Sequence, residues 1–129
     1  MISVLLIDDS DADNYFHTYS IEKSEICGTV ESCTSSLSAL DRLIDATEGR
    51  AAMPDIIFLD INIPSVDGWE FLEHYKRCIS VEQRKSKIFM LSTSVNPQDR
   101  ARAETHPLIS GYISKPLTTE KFIQNAALL

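Results

Sequence analysis

Basic side chains are scarce in this sequence. Its 129 residues carry 12 Lys and Arg against 19 Asp and Glu, a formal net charge of −7. A protein that grips a phosphate backbone needs a clustered basic surface, so this balance argues against a nucleic-acid partner. Long hydrophobic runs are also missing. The longest, around Val4–Ile7 and Ile56–Leu59, are strand-sized, whereas a membrane helix needs about 20 apolar residues. No membrane association is expected. Cysteine is limited to Cys27, Cys33 and Cys78. The number is odd and no pair has the CxxC spacing of a zinc or redox site. The N-terminus has no basic segment and reaches Asp8 too early for a secretion signal. A cytoplasmic setting follows, with the cysteines acting as small hydrophobes.

No repeat, linker or low-complexity segment divides the chain, and its length suits one domain over residues 1–129. A hydrophobic fraction of 43% is enough to build a core. Two textures alternate along it. Ile2–Ile7 is a short β-branched run ending in acid. Ser10-Asp-Ala-Asp13 has the spacing of a helix capping box, and a helix from about Ala12 to Lys23 carries Tyr15, Phe16 and Tyr19 at helical spacing. Residues 26–33 read as a weaker second strand. Ser35 or Ser36 caps a helix to about Thr47 that places Leu37, Leu40, Leu43 and Ile44 on one stripe. Glu48-Gly49 ends it.

Ile56-Ile-Phe-Leu59, bounded by Asp55 and Asp60, is the pattern of a strand buried on both faces. The turn Ile63–Gly68 leads into a helix bearing Trp69, Phe71, Leu72 and Tyr75; Trp69, Phe71 and Tyr75 read as helix packing, with room for one of them to face a partner. Ile88–Leu91 is a fourth strand. Pro97 opens a helix to about Thr105. Gly111–Ser114 is a fifth strand, and Thr118 or Thr119 caps a last helix carrying Phe122, Ile123 and Ala126. Five strand–helix units with short connections predict an α/β fold, a doubly wound five-stranded parallel sheet with helices on both faces. Ligands in such sheets bind at the carboxyl ends of the strands, near the point where strand order reverses.

Asp8 and Asp9 follow the first strand, Asp60 ends the third, Ser92 and Thr93 end the fourth, and Lys115 follows the fifth. Three carboxylates, a hydroxyl and an ammonium therefore converge on one sheet edge. Clustered carboxylates repel one another unless positive charge intervenes. One lysine offsets part of it. A divalent cation with oxygen ligands offsets the rest, and Mg²⁺ suits a site with few carboxylates (Mn²⁺ is the alternative ion). A carboxylate can also attack phosphorus to give an aspartyl-phosphate. Asp60, at the end of a rigid central strand, is the best-held nucleophile.

Asp8-Asp9, then Asp60-Ile-Asn-Ile-Pro-Ser-Val-Asp-Gly68, then the fourth-strand hydroxyl, then Lys115-Pro116, in this order along nearly the whole chain, resemble the receiver domain of two-component response regulators, most of all its stand-alone form. The resemblance implies a flavodoxin-like (βα)5 fold. It makes Asp60 the phosphoacceptor and Asp9 a direct Mg²⁺ ligand. Asp8 then holds the metal through water, and the backbone carbonyl of Asn62 completes the shell. Lys115 becomes the phosphoryl contact, with Pro116 following a cis bond. Ser92 is the switch hydroxyl. Adjacent strand residues face opposite ways, so Thr93 is the lesser candidate. Tyr112 is the aromatic that moves with the hydroxyl. The partner it implies is a histidine kinase or histidine phosphotransfer protein, and output runs through a protein docking on the face of the fourth helix, fifth strand and fifth helix. The segment Glu104–Ile109 departs from the family pattern, with Pro107 where small residues are common.

Blander roles fit other residues. Asp11 and Asp13 read as acids at a helix N-terminus, and Asp67-Gly68 as turn and cap chemistry. His17, His74 and His106 lack metal-ligand spacing and read as surface or helix-face residues. Arg84, Lys85 and Lys87 form a solvated connector. Two other functions compete with a phosphorylation switch. One is a docking module that is never phosphorylated. The other is a magnesium phosphohydrolase, which usually needs an acid two residues after the nucleophile, where this chain has Asn62.

Overall fold

Four consecutive buried residues, Ile56, Ile57, Phe58 and Leu59, occupy the middle of the sheet, as a strand covered on both faces requires. The computed structural model describes residues 1–129. In chain order its elements are β1 (Ile2–Ile7), α1 (Asp11–Glu22), β2 (Cys27–Cys33), α2 (Ser36–Thr47), β3 (Ile56–Leu59), α3 (Gly68–Cys78), β4 (Lys87–Ser92), α4 (Pro97–Thr105), β5 (Ile109–Ser114) and α5 (Thr119–Ala126). A single 3-10 turn, Val81–Gln83, interrupts the polar connector before β4. The strands form one sheet in the order β2-β1-β3-β4-β5, and all four pairings are parallel. This is the doubly wound five-stranded sheet that the alternation predicts.

Side-chain alternation splits the core in two. Leu5, Ile7, Ile57, Leu59, Ile88 and Met90 face α2 and α3, where Leu40, Leu43, Phe71, Leu72 and Tyr75 meet them. Val4, Leu6, Ile56, Phe58, Phe89 and Leu91 face the other way, onto Ile21 of α1 and Phe122 and Ala126 of α5. Trp69, Phe71 and Tyr75 are all buried, as their spacing predicts.

Helix entries follow side-chain chemistry. Ser35, Asp67, Asn96 and Thr118 each accept a hydrogen bond from a backbone N–H of the first turn. Asp67 and Glu70 complete a reciprocal capping box, and Pro97 stands in the first turn of α4. Ser10 caps α1 by accepting from the Asp13 N–H, but the reciprocal half of the expected box is missing. The Ser10 N–H goes to Asp8 Oδ1 instead, and the Asp13 carboxylate is turned elsewhere.

Four expectations are corrected. The face that α1 turns inward is Asn14, His17, Ser20 and Ile21, while Tyr15, Phe16 and Tyr19 are exposed at 80%, 45% and 59%. His17 is therefore a buried residue and not a surface one. Cys78 lies exposed at the end of α3, so it does not act as a buried hydrophobe. Strand β5 begins at Ile109, two residues before the glycine expected to open it. Its register shifts against β4 between Ile88 and Phe89. Within the Glu104–Ile109 segment, α4 ends at Thr105 and a tight turn over residues 106–108 leads into β5; His106 Nδ1 accepts from the Leu108 N–H and the Ile109 N–H donates to the His106 carbonyl.

Candidate phosphorylation and metal site

Strand order reverses at β1, which is flanked by β2 and β3, and the acids collect there. Ile7 pairs with Leu59 in register, so Asp8 and Asp60 leave the sheet side by side. The Asp60 N–H donates to the Ile7 carbonyl at 3.0 Å, one step beyond the strand ends. Asp8 and Asp60 are 4% and 7% exposed, and Asp9 is exposed. One carboxylate oxygen from each of the three can be chosen so that all lie within 4.8 Å of one another. A set of hard anionic oxygens at that spacing fits a small divalent cation that keeps some of its water.

Lys115 reaches this cluster from the turn after β5, where its N–H extends the ladder to the Ser92 carbonyl at 3.0 Å. The Lys115–Pro116 peptide bond is cis, as expected. Lys115 Nζ donates to Asp8 Oδ2 at 2.6 Å, to Asp13 Oδ2 at 2.8 Å and to Asp60 Oδ2 at 3.4 Å. Its side chain is only 10% exposed. Burial disfavours the ammonium, but the hydrogen bonds to Asp13 and Asp8 and the charge of Asp60 outweigh it and hold the pKa well above its ordinary value. Asp60 shifts the other way from an ordinary acid in an ion pair. Burial raises its pKa, Lys115 opposes that rise, Asp8 adds to it, and the Asn62 N–H bond to Oδ1 at 3.4 Å opposes it again.

Asp13 is the residue that sequence reasoning assigned elsewhere. Its position in the first turn of α1 favours an acid whatever the side chain touches. Its partner lies 102 positions away in the chain, and no local signal marks such a contact. The backbone at Gly68 is equally specific. A Cβ there would lie 2.6 Å from the Asp60 carbonyl oxygen and 3.0 Å from the Ile61 Cα. Those are backbone atoms, which cannot yield without moving Asp60, so glycine lets α3 start against the carboxyl end of β3.

The remaining candidates lie around this core. Ser92 is fully buried and its Oγ accepts from the Ser94 N–H at 3.0 Å. Thr93 is exposed and lines a cleft with Lys115, Asp13 and His17. Neither hydroxyl hydrogen-bonds a site carboxylate. Tyr112 is half-buried. Its hydroxyl donates to the Ser94 carbonyl at 3.1 Å, and the Arg100 guanidinium sits 5.4 Å from its ring centroid.

Comparison with known proteins decides the family. Residues 4–127 match the model of the response regulator receiver domain. The chain belongs to that family. Among its relatives, this receiver is 31% identical over 117 residues to a probable methanogenesis regulatory protein, FilR2, of Methanothrix harundinacea, covering 91% of this chain and 74% of the relative. It superposes on a two-component response regulator from Cytophaga hutchinsonii with a TM-score of 0.89 and 36% identity, covering 99% and 97% of the two chains. A response regulator receiver protein from Dyadobacter fermentans matches with a TM-score of 0.84 and 26% identity, again covering 99% and 97%. Receiver domains are phosphoacceptor modules of two-component signalling, not typical enzymes. They take phosphoryl groups from histidine kinases or phosphotransfer proteins and bind Mg²⁺ at an acidic cluster. No helix of this receiver is long and apolar enough to cross a membrane.

Proposed function

We propose that this single receiver domain, residues 1–129, is a switch set by phosphorylation of Asp60. The observation that carries the reading is the convergence of Asp8, Asp9, Asp60 and Lys115 on the strand edge where chain order reverses. Asp60 Oδ attacks the phosphorus of a phosphohistidine on a histidine kinase or phosphotransfer protein. A new P–O bond forms, the P–N bond breaks, and the imidazole leaves with the electron pair. Lys115 holds a phosphoryl oxygen, and its near-complete burial strengthens that contact.

Asp9 and Asp60 would hold Mg²⁺ directly, with Asp8 through water and Asn62 by its carbonyl. Bound there, the cation supplies positive charge against the phosphoryl oxygens. Ser92 would exchange its Ser94 partner for a phosphoryl oxygen, and Tyr112 would repack with it. The cleft of about 330 Å³ lined by Ser94, Asn96, Arg100 and Tyr112 connects that movement to the α4–β5–α5 face, where a protein partner reads it. The acid-free position two residues after Asp60, where Asn62 cannot transfer a proton, disfavours a hydrolase.

The test is incubation with Mg²⁺ and acetyl phosphate, followed by intact mass. A gain of one phosphoryl group, mapped to Asp60 and absent when the metal is chelated before the donor is added, is the expected result. Rapid turnover of varied phosphomonoesters would replace the switch with a hydrolase, and no adduct with any donor would leave a docking module. The metal has its own check. Saturating Mg²⁺, at about 100 times its dissociation constant, stabilises a protein that binds it only when folded by about 2.7 kcal/mol. The melting temperature of wild type should rise accordingly and that of Asp9→Ala hardly at all. Equal rises would remove Asp9 from the metal shell.

A further inference from the structure

Lys115 is shared unequally at rest. Its two shorter bonds go to Asp8 and Asp13, at 2.6 and 2.8 Å, and its longest, at 3.4 Å, to the carboxylate that accepts the phosphoryl group. Asp13 differs from the other two acids in origin and in exposure. It comes from α1 and not from a strand end. Its side chain is 43% exposed, against 5% for Asp8 and 9% for Asp60. Its carboxylate makes no cap bond, because Ser10 uses only its backbone N–H. The only hydrogen bond of that carboxylate is with Lys115.

We infer that Asp13 is a positioning residue that competes with the incoming phosphoryl group for Lys115 and so slows phosphorylation of Asp60. The inference rests on the switch reading above. A phosphoryl group reaching Asp60 needs the ammonium, and Lys115 must then loosen its bond to Asp13. Asp13 can turn into water at small cost because nearly half of it is already solvated. The competition is therefore a modest and adjustable brake, not a block. Because Asp13 is partly exposed, salt screens its hold on the lysine more than it screens the buried Asp8 pair.

The test measures the rate of adduct formation with acetyl phosphate and saturating Mg²⁺ in wild type, Asp13→Asn, Asp13→Glu, Lys115→Ala and the Asp13→Asn/Lys115→Ala pair. The expected result is a rate about fivefold above wild type for Asp13→Asn at low salt, near the exponent of one exposed ion pair. That gain should shrink in high salt, and Asp13→Glu should restore a rate near wild type. In the Lys115→Ala background the substitution should change nothing, since Asp13 acts through the lysine. A merely structural role would move the melting temperature and leave this salt-dependent, lysine-dependent ratio at one. An unchanged or slower rate in Asp13→Asn, with a normal wild-type adduct, overturns the inference alone. So does an equal gain with and without Lys115. Absence of a wild-type adduct overturns the switch reading and this inference together. Asp13→Ser gives the same readout if Asp13→Asn fails to fold.

Discussion

Asp60→Asn is expected to abolish the phosphoryl adduct, by at least about 100-fold, and at the same time to raise the melting temperature at neutral pH. The two effects have one origin. Asp60 is 7% exposed, and burial lifts its pKa above the usual carboxylate value despite the nearby Lys115. An acid whose pKa is higher in the folded state favours folding only while protonated. That contribution is fully present below the unfolded pKa and is lost as pH rises through the folded pKa. At pH 7 the ionised Asp60 therefore works against the fold. Asparagine keeps the shape and removes the charge, and Lys115 keeps its shorter bonds to Asp8 and Asp13. The stability difference between variant and wild type should grow in the variant's favour from acid to neutral pH. Thermal melts across that range measure it. A variant that is less stable than wild type at pH 7, and relatively best in acid, would show that Asp60 is stabilised in place and carries no cost.

A site that buries a carboxylate such as Asp60 is legible in sequence to an unusual degree, because its parts sit at strand ends. The apolar run Ile56–Leu59 marks a strand buried on both faces, so the acid that follows it has to emerge at a sheet edge. Ser35, Pro97 and Thr118 mark helix entries by chemistry that acts within one turn. What was hidden depends on contacts made across the fold. The inward face of α1 is Asn14, His17, Ser20 and Ile21; only Ile21 reaches the apolar layer, because the start of the helix lies beside the polar site. Its aromatic residues are left outside, although their spacing alone suits either face. The extra length of β5 comes from the pairing of Ile109 with Ile88 of β4 across a register shift, which no local signal announces. The bond from Asp13 to Lys115 joins residues near the two ends of the chain, which only the assembled sheet brings together.

Lys115→Ala should have the opposite thermal effect to Asp60→Asn. The lysine is the one cation bonded to Asp8 and Asp60, both nearly buried. Its folded pKa is raised, so its contribution is fully present below the unfolded pKa of about 10.4 and is lost only as pH rises through the higher folded value. Across the neutral range it stays charged. Removing it leaves two buried carboxylates facing each other with nothing between them, a change that costs about 3 kcal/mol in comparable buried pairs. Asp13, 43% exposed, adds little because water replaces the lysine there. For a domain of this size the melting temperature should fall by about 10 °C at pH 7. Acid should close the gap, since protonating the carboxylates removes the repulsion that the lysine had relieved. Mg²⁺ should close it too, and should stabilise Lys115→Ala more than wild type, because the same oxygens then depend on the metal alone. Losing the phosphoryl contact should also slow adduct formation by about 100-fold, the usual effect of removing one preorganised donor. Melts with and without Mg²⁺ at several pH values decide the matter. A loss of stability that neither acid nor Mg²⁺ repairs would mean that Lys115 supports the fold by packing its stem, and that its charge is not what holds Asp8 and Asp60 together.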